Sequence, residues 1–424
     1  MKSIKGFIFI ITVLNFSCSK DIAFKKKVNS SDPLFSLVSQ QISGIAFSNI
    51  VKESNFNNLV TNFYVYNGAG VAVGDINNDG LDDIYFVSNQ GNDQLYLNEG
   101  QLKFKNITQS AKIENSNGWS TGVSLIDLNN DGWLDIFVCQ SSPVKSKNLL
   151  KNKVYINQKD NTFRESSQSL GLDHLGFSIQ AYFLDFDHVG DLDIYVLVHQ
   201  MRNMLFKDNT SQKVKDQYKA LSNQLYRNDG HTFTNITTTA FEGVHIYPSL
   251  SASIGDFNND NLPDIYVCND FLLPDQMYIN NGNGTFSDEI LNRTNHTSSN
   301  SMGSDYADIN NDAYPDLIVL DMLAEDHIRN KENMTSMNTN LFDSIVEMGY
   351  QKQYMSNVLQ LNSGNGFFTD IGQLAGINKT DWSWGPLIAD FDNDGLKDIF
   401  ISNGIEKDID NRDFRNKYQE YLDS

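Results

Sequence analysis

Six stretches of this chain set oxygen-bearing side chains at alternate positions of a nine-residue pattern. They are DINNDGLDD from Asp75, DLNNDGWLD from Asp127, DFDHVGDLD from Asp185, DFNNDNLPD from Asp256, DINNDAYPD from Asp308 and DFDNDGLKD from Asp390. Carboxylates packed this closely repel one another unless a cation sits among them or water separates them. A calcium ion takes about six to eight oxygen ligands. The pattern offers side-chain oxygens at positions 1, 3, 5 and 9 and a backbone carbonyl at position 7. The candidate metal ligands are therefore Asp75, Asn77, Asp79, Leu81 and Asp83; Asp127, Asn129, Asp131, Trp133 and Asp135; Asp185, Asp187, Asp191 and Asp193; Asp256, Asn258, Asp260, Leu262 and Asp264; Asp308, Asn310, Asp312, Tyr314 and Asp316; and Asp390, Asp392, Asp394, Leu396 and Asp398. A tight loop of this kind needs a residue that tolerates positive φ at position 6, where Gly80, Gly132, Gly190 and Gly395 stand. Asn261 accepts that conformation at modest cost, whereas Ala313 pays roughly 1 kcal/mol. The third loop departs most, because Val189 replaces the position-5 acid. One such loop could be a solvated turn, since Asp and Asn favour turns. Six in register, each ending on Asp, point to about five or six structural Ca2+ ions.

The elements that must hold these loops repeat with them. An apolar run precedes each loop, with glycine five residues ahead of the first Asp at Gly70, Gly122, Gly303 and Gly385. A β-rich run follows each loop, as in DIYFVSN and DIFVCQS. Then comes a second signature, LYLNEGQLKFKNIT and its kin, which reads as a strand, a polar turn and a strand opening on Phe. An EF-hand shares the opening pattern but needs a position-12 Glu and flanking helices. Position 12 of the first loop is Phe86, inside a strand. One unit is thus four short antiparallel strands, and radial repetition of such units predicts an all-β propeller. Six acidic loops predict six blades, with seven possible if an insertion hides one. The propeller is expected to span 34–424 as a single domain closed by an N-terminal strand. Two insertions, 199–222 and 321–356, are expected to be partly helical.

The chain has 424 residues, 40% of them apolar, with a net charge of −21. That balance excludes a phosphate backbone as partner. Residues 1–17 read as a secretory signal peptide: Lys2 and Lys5, then an apolar run too short to span a bilayer. Cys18 is the candidate lipidation site and 18–33 the tether of a lipid anchor, with plain secretion as the alternative. Cys139 and Cys268 fall in matching strand contexts, DIFVCQ and DIYVCN, and are expected to be buried free thiols. The seven histidines share no position within the repeat, and no nucleophile-elbow or zinc-hydrolase motif occurs. No catalytic or cofactor-binding residue is assigned. Trp119, Trp382 and Trp384 begin inner strands and could stack on sugars or pack near a central channel.

The run GAGVAVGDINNDGLDDIYF and its repeats resemble FG-GAP/VCBS repeats, the calcium-binding blade motif of integrin α propellers. More narrowly, YNGAGVAVGDINNDG, GWSTGVSLIDLNNDG and DWSWGPLIADFDNDG are similar to VCBS proteins that carry an ASPIC/UnbV domain, the cartilage acidic protein-like group. The resemblance implies a β-propeller of integrin-α type with calcium at the loop positions named above. Members of that group continue into further repeats, whereas this chain reaches DIFISNG and then a charged tail, as a short or truncated member would. The expected function is an exported or surface-anchored module that binds a protein or a glycan. The alternatives are a lyase-like enzyme acting on polysaccharide, and an accessory subunit of a surface uptake system. Outer-membrane or cell-surface attachment is the expected location, with periplasmic or secreted placement as the alternative.

Overall fold

A computed structural model describes residues 35–55, 57–58, 64–113, 118–141, 151–173, 176–199, 221–243, 245–333 and 339–404, together with 411, 416, 417 and 420. The expected signal peptide, Cys18, the whole of the tether and nearly all of the 199–222 insertion lie outside those residues. The chain divides into a short unit, Met1–Leu37, and a unit Val38–Ser424 that holds every element described below.

The second unit is all-β and propeller-like. Its first sheet is β1 (Val71–Gly74), β2 (Asp83–Phe86), β3 (Gln94–Asn98) and β4 (Phe104–Asn106), antiparallel in chain order. The second is β5 (Trp119–Ile126), β6 (Asp135–Ser141), β7 (Lys153–Asn157) and β8 (Phe163–Glu165). The third is β9 (Ser178–Leu184), β10 (Asp193–Val198), β11 (Gln224–Asn228) and β12 (Phe233–Asn235). The fourth is β13 (Ser249–Gly255), β14 (Asp264–Asn269), β15 (Gln276–Asn280) and β16 (Phe286–Asp288). A short strand β17 (Thr297–Ser298) follows, before β18 (Ser304–Ala307) and β19 (Asp316–Val319) of the fifth sheet. That sheet is completed, after β20 (Gln353–Tyr354) pairs in parallel with β17, by β21 (Val358–Asn362) and β22 (Phe368–Asp370). The sixth sheet is β23 (Ser383–Ala389) paired with β24 (Asp398–Asn403). Each acidic loop joins the first two strands of one sheet.

The core lies between neighbouring sheets. Tyr85 of β2 packs with Ile136 and Val138 of β6, Phe137 of β6 with Ile194 and Val196 of β10, and so on through Ile318 of β19 against Ile399 and Ile401 of β24. A second strand is therefore covered on both faces, and β10 and β14 are buried along their whole length. The apolar runs after the loops are the sequence trace of that sandwiching. Cys139 and Cys268 are free thiols in this buried layer.

The spaced glycines mark where first strands approach each other. A Cβ on Gly122 would stand 2.3 Å from the Ile179 carbonyl oxygen, and one on Gly303 would stand 2.0 Å from that of Trp384. Only hydrogen fits there.

The 321–356 insertion is helical in part, with helices His327–Asn333 and Thr339–Glu347. The N-terminal stretch of this unit contributes a short helix, Gln40–Ser43, ended by Gly44 at φ 74°. Equivalent single-turn helices follow the outer strands at Ser167–Leu170, Thr237–Ala240, Ile290–Arg293 and Gly372–Ala375. Among the described residues no N-terminal strand joins β24.

Candidate metal loops and a central cavity

In all six loops the first Asp folds the backbone around itself. Its two oxygens accept the N–H groups of positions 5 and 6: Asp79 and Gly80 onto Asp75 at 3.1 and 2.7 Å, Asp131 and Gly132 onto Asp127 at 3.0 and 2.7 Å. The same pair is made by Asp185, Asp256, Asp308 and Asp390. In five loops the position-5 acid accepts the position-7 N–H, as Asp79 does from Leu81 at 2.9 Å. Val189 cannot do this, so the third loop lacks the link.

Two residues per loop take positive φ. Position 6 does so as expected, with Asn261 at 67° and Ala313 at 72°. Position 4 does so as well: Asn78, Asn130, His188, Asn259, Asn311 and Asn393 lie between 55° and 64°. Asparagine is the side chain that visits this region most readily after glycine, and that is the physical reason for the recurring Asn-Asn-Asp and Asp-Asn-Asp sequences. The recurrence is visible in the sequence; the conformation behind it is seen only in the structure.

Position 9 is an anchor as well as a candidate ligand. Asp83, Asp135, Asp193, Asp264 and Asp316 are completely buried. One oxygen accepts the position-2 N–H, from Ile76, Leu128, Phe186, Phe257 and Ile309 at 2.8–3.1 Å. The other accepts the N–H of an Asn on the third strand, from Asn98, Asn157, Asn228, Asn280 and Asn362 at 2.7–2.8 Å. Burial raises all five carboxyls, taking Asp135, Asp193 and Asp264 to about 7 against the pull of those backbone hydrogen bonds. Neighbouring loop carboxylates push them further in the same direction. Each site thus concentrates negative charge with little protein cation to offset it. Lys159, 3.3 Å from Asp131, is a partial exception at the second loop.

The donor set suits a hard cation. Carboxylate oxygens of Asp185, Asp187 and Asp193 lie within 4.8 Å of one another, as do those of Asp390, Asp392 and Asp398. These are the two loops with Asp rather than Asn at position 3. In the third loop Asp187 and Asp191 each keep a buried oxygen with no hydrogen-bond partner. Asp191 brings a carboxylate where other loops have Leu, Trp or Tyr, which makes up for the acid missing at Val189.

A cavity of about 390 Å3 opens among the first strands, lined by Tyr64, Trp119, Tyr182, His199, Met302 and Trp384 together with Gly70, Gly122 and Gly385. Trp382 does not line it. His199, which shares its position in the repeat with no other histidine, is buried at this wall. Its Nδ1 lies 3.2 Å from the Ser249 carbonyl oxygen, and its Nε2 has no partner. Burial lowers its pKa to about 4, so the ring is neutral at physiological pH. Tyr64 sets its ring edge-on to His199 at 4.1 Å and donates its hydroxyl to Asp270 at 2.5 Å.

An FG-GAP-like repeat model matches residues 75–138, 256–319 and 345–401. Cartilage acidic protein 1 of Xenopus tropicalis is 33% identical over 92 residues, which is 22% of this chain and 13% of that protein. The V. cholerae biofilm matrix protein Bap1 aligns with 74% of this chain and 41% of its own at 12% identity and a TM-score of 0.36. The chain therefore spans well under two thirds of the length of either relative. The matched segments cover somewhat under half of the chain and contain five of the six acidic loops; over them the chain is similar to FG-GAP-like repeats, in keeping with its propeller-like all-β fold.

Proposed function

We propose that the chain is an extracellular binding module of the adhesion type, stabilised by Ca2+ in its acidic loops and attached to the cell surface through Cys18. The observation that carries the calcium reading is the recurrence of one loop geometry six times, with buried position-9 carboxylates in five loops and orphaned oxygens on Asp187 and Asp191 in the third. The residues at positions 1, 3, 5 and 9, with the position-7 carbonyl, would hold each ion, and the ion supplies the positive charge these loops lack. Asp and Asn oxygens are the ligands that Ca2+ prefers. Among the described residues no helix is long and apolar enough to cross a membrane.

The partner is a protein or a glycan. Support comes from the central cavity, whose lining includes Trp119, Trp384 and His199. The net charge of −21 disfavours nucleic acid.

Scanning calorimetry of the purified chain with calcium, and again after EDTA, tests the metal. A fall in Tm on chelation, reversed by added calcium, is expected. An unchanged Tm refutes the structural-calcium reading. A glycan array probed with the wild type and with Trp119→Ala then separates sugar binding from protein binding.

A further inference from the structure

The third loop differs from its siblings at positions that change together. Position 5 is Val189 where the others carry Asp, and position 7 is Asp191 where the others carry Leu, Trp or Tyr. The acid has moved two residues along. In the siblings the position-5 carboxylate accepts the position-7 N–H at 2.8–3.0 Å. In three of them it also accepts Nδ2 of the position-3 Asn, as Asp79 does from Asn77 at 2.9 Å. Val189 does neither, and at 66% exposure it does not replace those bonds by packing into the core.

The position-3 side chain is freed by the same change. In the five siblings its Oδ1 accepts the position-5 N–H at 3.0–3.2 Å, from Asp79, Asp131, Asp260, Asp312 and Asp394. Val189 gives its N–H to Asp185 at 3.1 Å, and among the described residues Asp187 Oδ1 has no partner. Asp191 Oδ1 is likewise buried without one. Two carboxylate oxygens shut off from water and from donors carry a desolvation cost that a cation between them would offset. Burial, then the charges of Asp187, Asp185 and Asp229, raises the Asp191 carboxyl, so this fourth acid stands close to the cluster. Asp229 has its own counter-ion in Arg227 at 2.9 Å. The sixth loop supplies the comparison. There too the oxygens of positions 1, 3 and 9 lie within 4.8 Å of one another, and the fourth acid is Asp394 at position 5.

We propose that the third loop binds calcium through a donor set of its own, in which the Asp191 carboxylate takes the place of the missing position-5 acid and joins Asp185, Asp187 and Asp193. The inference rests on the calcium reading above and departs from it in the donor. At position 7 the siblings have only a main-chain carbonyl to offer, whereas here the side chain is the ligand. Over positions 1, 3, 5, 7 and 9 the loop keeps four carboxylates, as many as the sixth and one more than the first, second, fourth and fifth. Calcium coordination is flexible in geometry, so it tolerates a carboxylate arriving from position 7 instead of position 5.

The test counts calcium bound per full chain after equilibrium dialysis, by atomic emission, with far-UV circular dichroism to check the fold of each variant. Asp191→Leu gives the third loop the residue that the first, fourth and sixth carry, and should bind one ion fewer than the wild type. Val189→Asp combined with Asp191→Leu rebuilds the sibling pattern and should recover that ion. Asp191→Asn, which keeps the shape and a neutral oxygen, should raise the calcium concentration that fills the site at least tenfold. Asp229→Asn removes a neighbouring charge that is no donor and should leave the count unchanged. A full count in Asp191→Leu overturns the inference while leaving the calcium reading intact, and so does a double variant that stays one ion short. An ion lost from Asp229→Asn overturns it as well, by making local charge rather than a donor the cause. A wild type that binds no calcium overturns the calcium reading itself, and the inference with it.

Discussion

Asn78, at position 4 of the first loop, donates its Nδ2 to the carbonyl oxygen of Gly132, at position 6 of the second, across 3.0 Å. Asn311 repeats the relation with Gly395 at 3.2 Å. A residue chosen locally for its tolerance of positive φ thus also ties one loop to the next. Asn78→Ala should lose both the conformational fit and the link, at a cost of about 1–2 kcal/mol. Asn78→Gly keeps the first and loses the second, so its cost should be smaller. Urea unfolding of the two variants separates the contributions; equal losses would show that the link carries none of the stability.

Ala313 holds φ at 72° while its N–H reaches Asp308 at 2.8 Å. Glycine occupies this place in four other loops with open space around it. Relief of the strain outweighs the added freedom of the unfolded chain, and Ala313→Gly should stabilise by about 0.5–1 kcal/mol. A Tm that falls instead would mean the loop has relaxed around the alanine.

Gly122→Ala and Gly385→Ala make the same chemical change at equivalent places. The first drives a methyl to within 2.3 Å of the Ile179 carbonyl oxygen, whereas the second meets only a hydroxyl at 3.1 Å. The first should cost about 1–3 kcal/mol or prevent folding, and the second should change stability by less than about 0.5 kcal/mol. Similar losses for both would show that β23 has a neighbour along that side.

Asp275 is buried at the base of β15, where it accepts from the Tyr266 and Ser301 hydroxyls, each at 2.7 Å, and from Asn269 N–H at 2.9 Å. Desolvation nonetheless raises its pKa from 3.8 to about 7. The folded chain holds this proton more tightly than the unfolded one. The stability it contributes is full below pH 3.8 and is lost as the pH rises through 7. Asp275→Asn should therefore narrow the gap in urea midpoint between pH 6 and pH 8.5, with the variant gaining on the wild type at the higher pH. An unchanged gap would place the pH dependence elsewhere.

Much of this protein is legible in its sequence because its repeating signals are local. Alternate oxygens, glycine at position 6 and the strand runs after each loop act within a dozen residues, and they alone specified the six loops and the four-stranded unit. Other features depend on residues far apart in the chain. The position-9 Asp is tied to a third-strand Asn that follows 15 to 46 residues later, with an insertion of variable length between them. Gly122 and Gly303 are required by carbonyls of the next sheet, and His199, which shares its place in the repeat with no other histidine, becomes a cavity wall only through packing against Ser249 and Tyr64. That the sixth sheet has two strands among the described residues has no local signature either, since DIFISNG reads like every other second strand. Local sequence sets what each strand can pair with, but whether a partner is there depends on how the sheets assemble around it, and only the tertiary structure decides that.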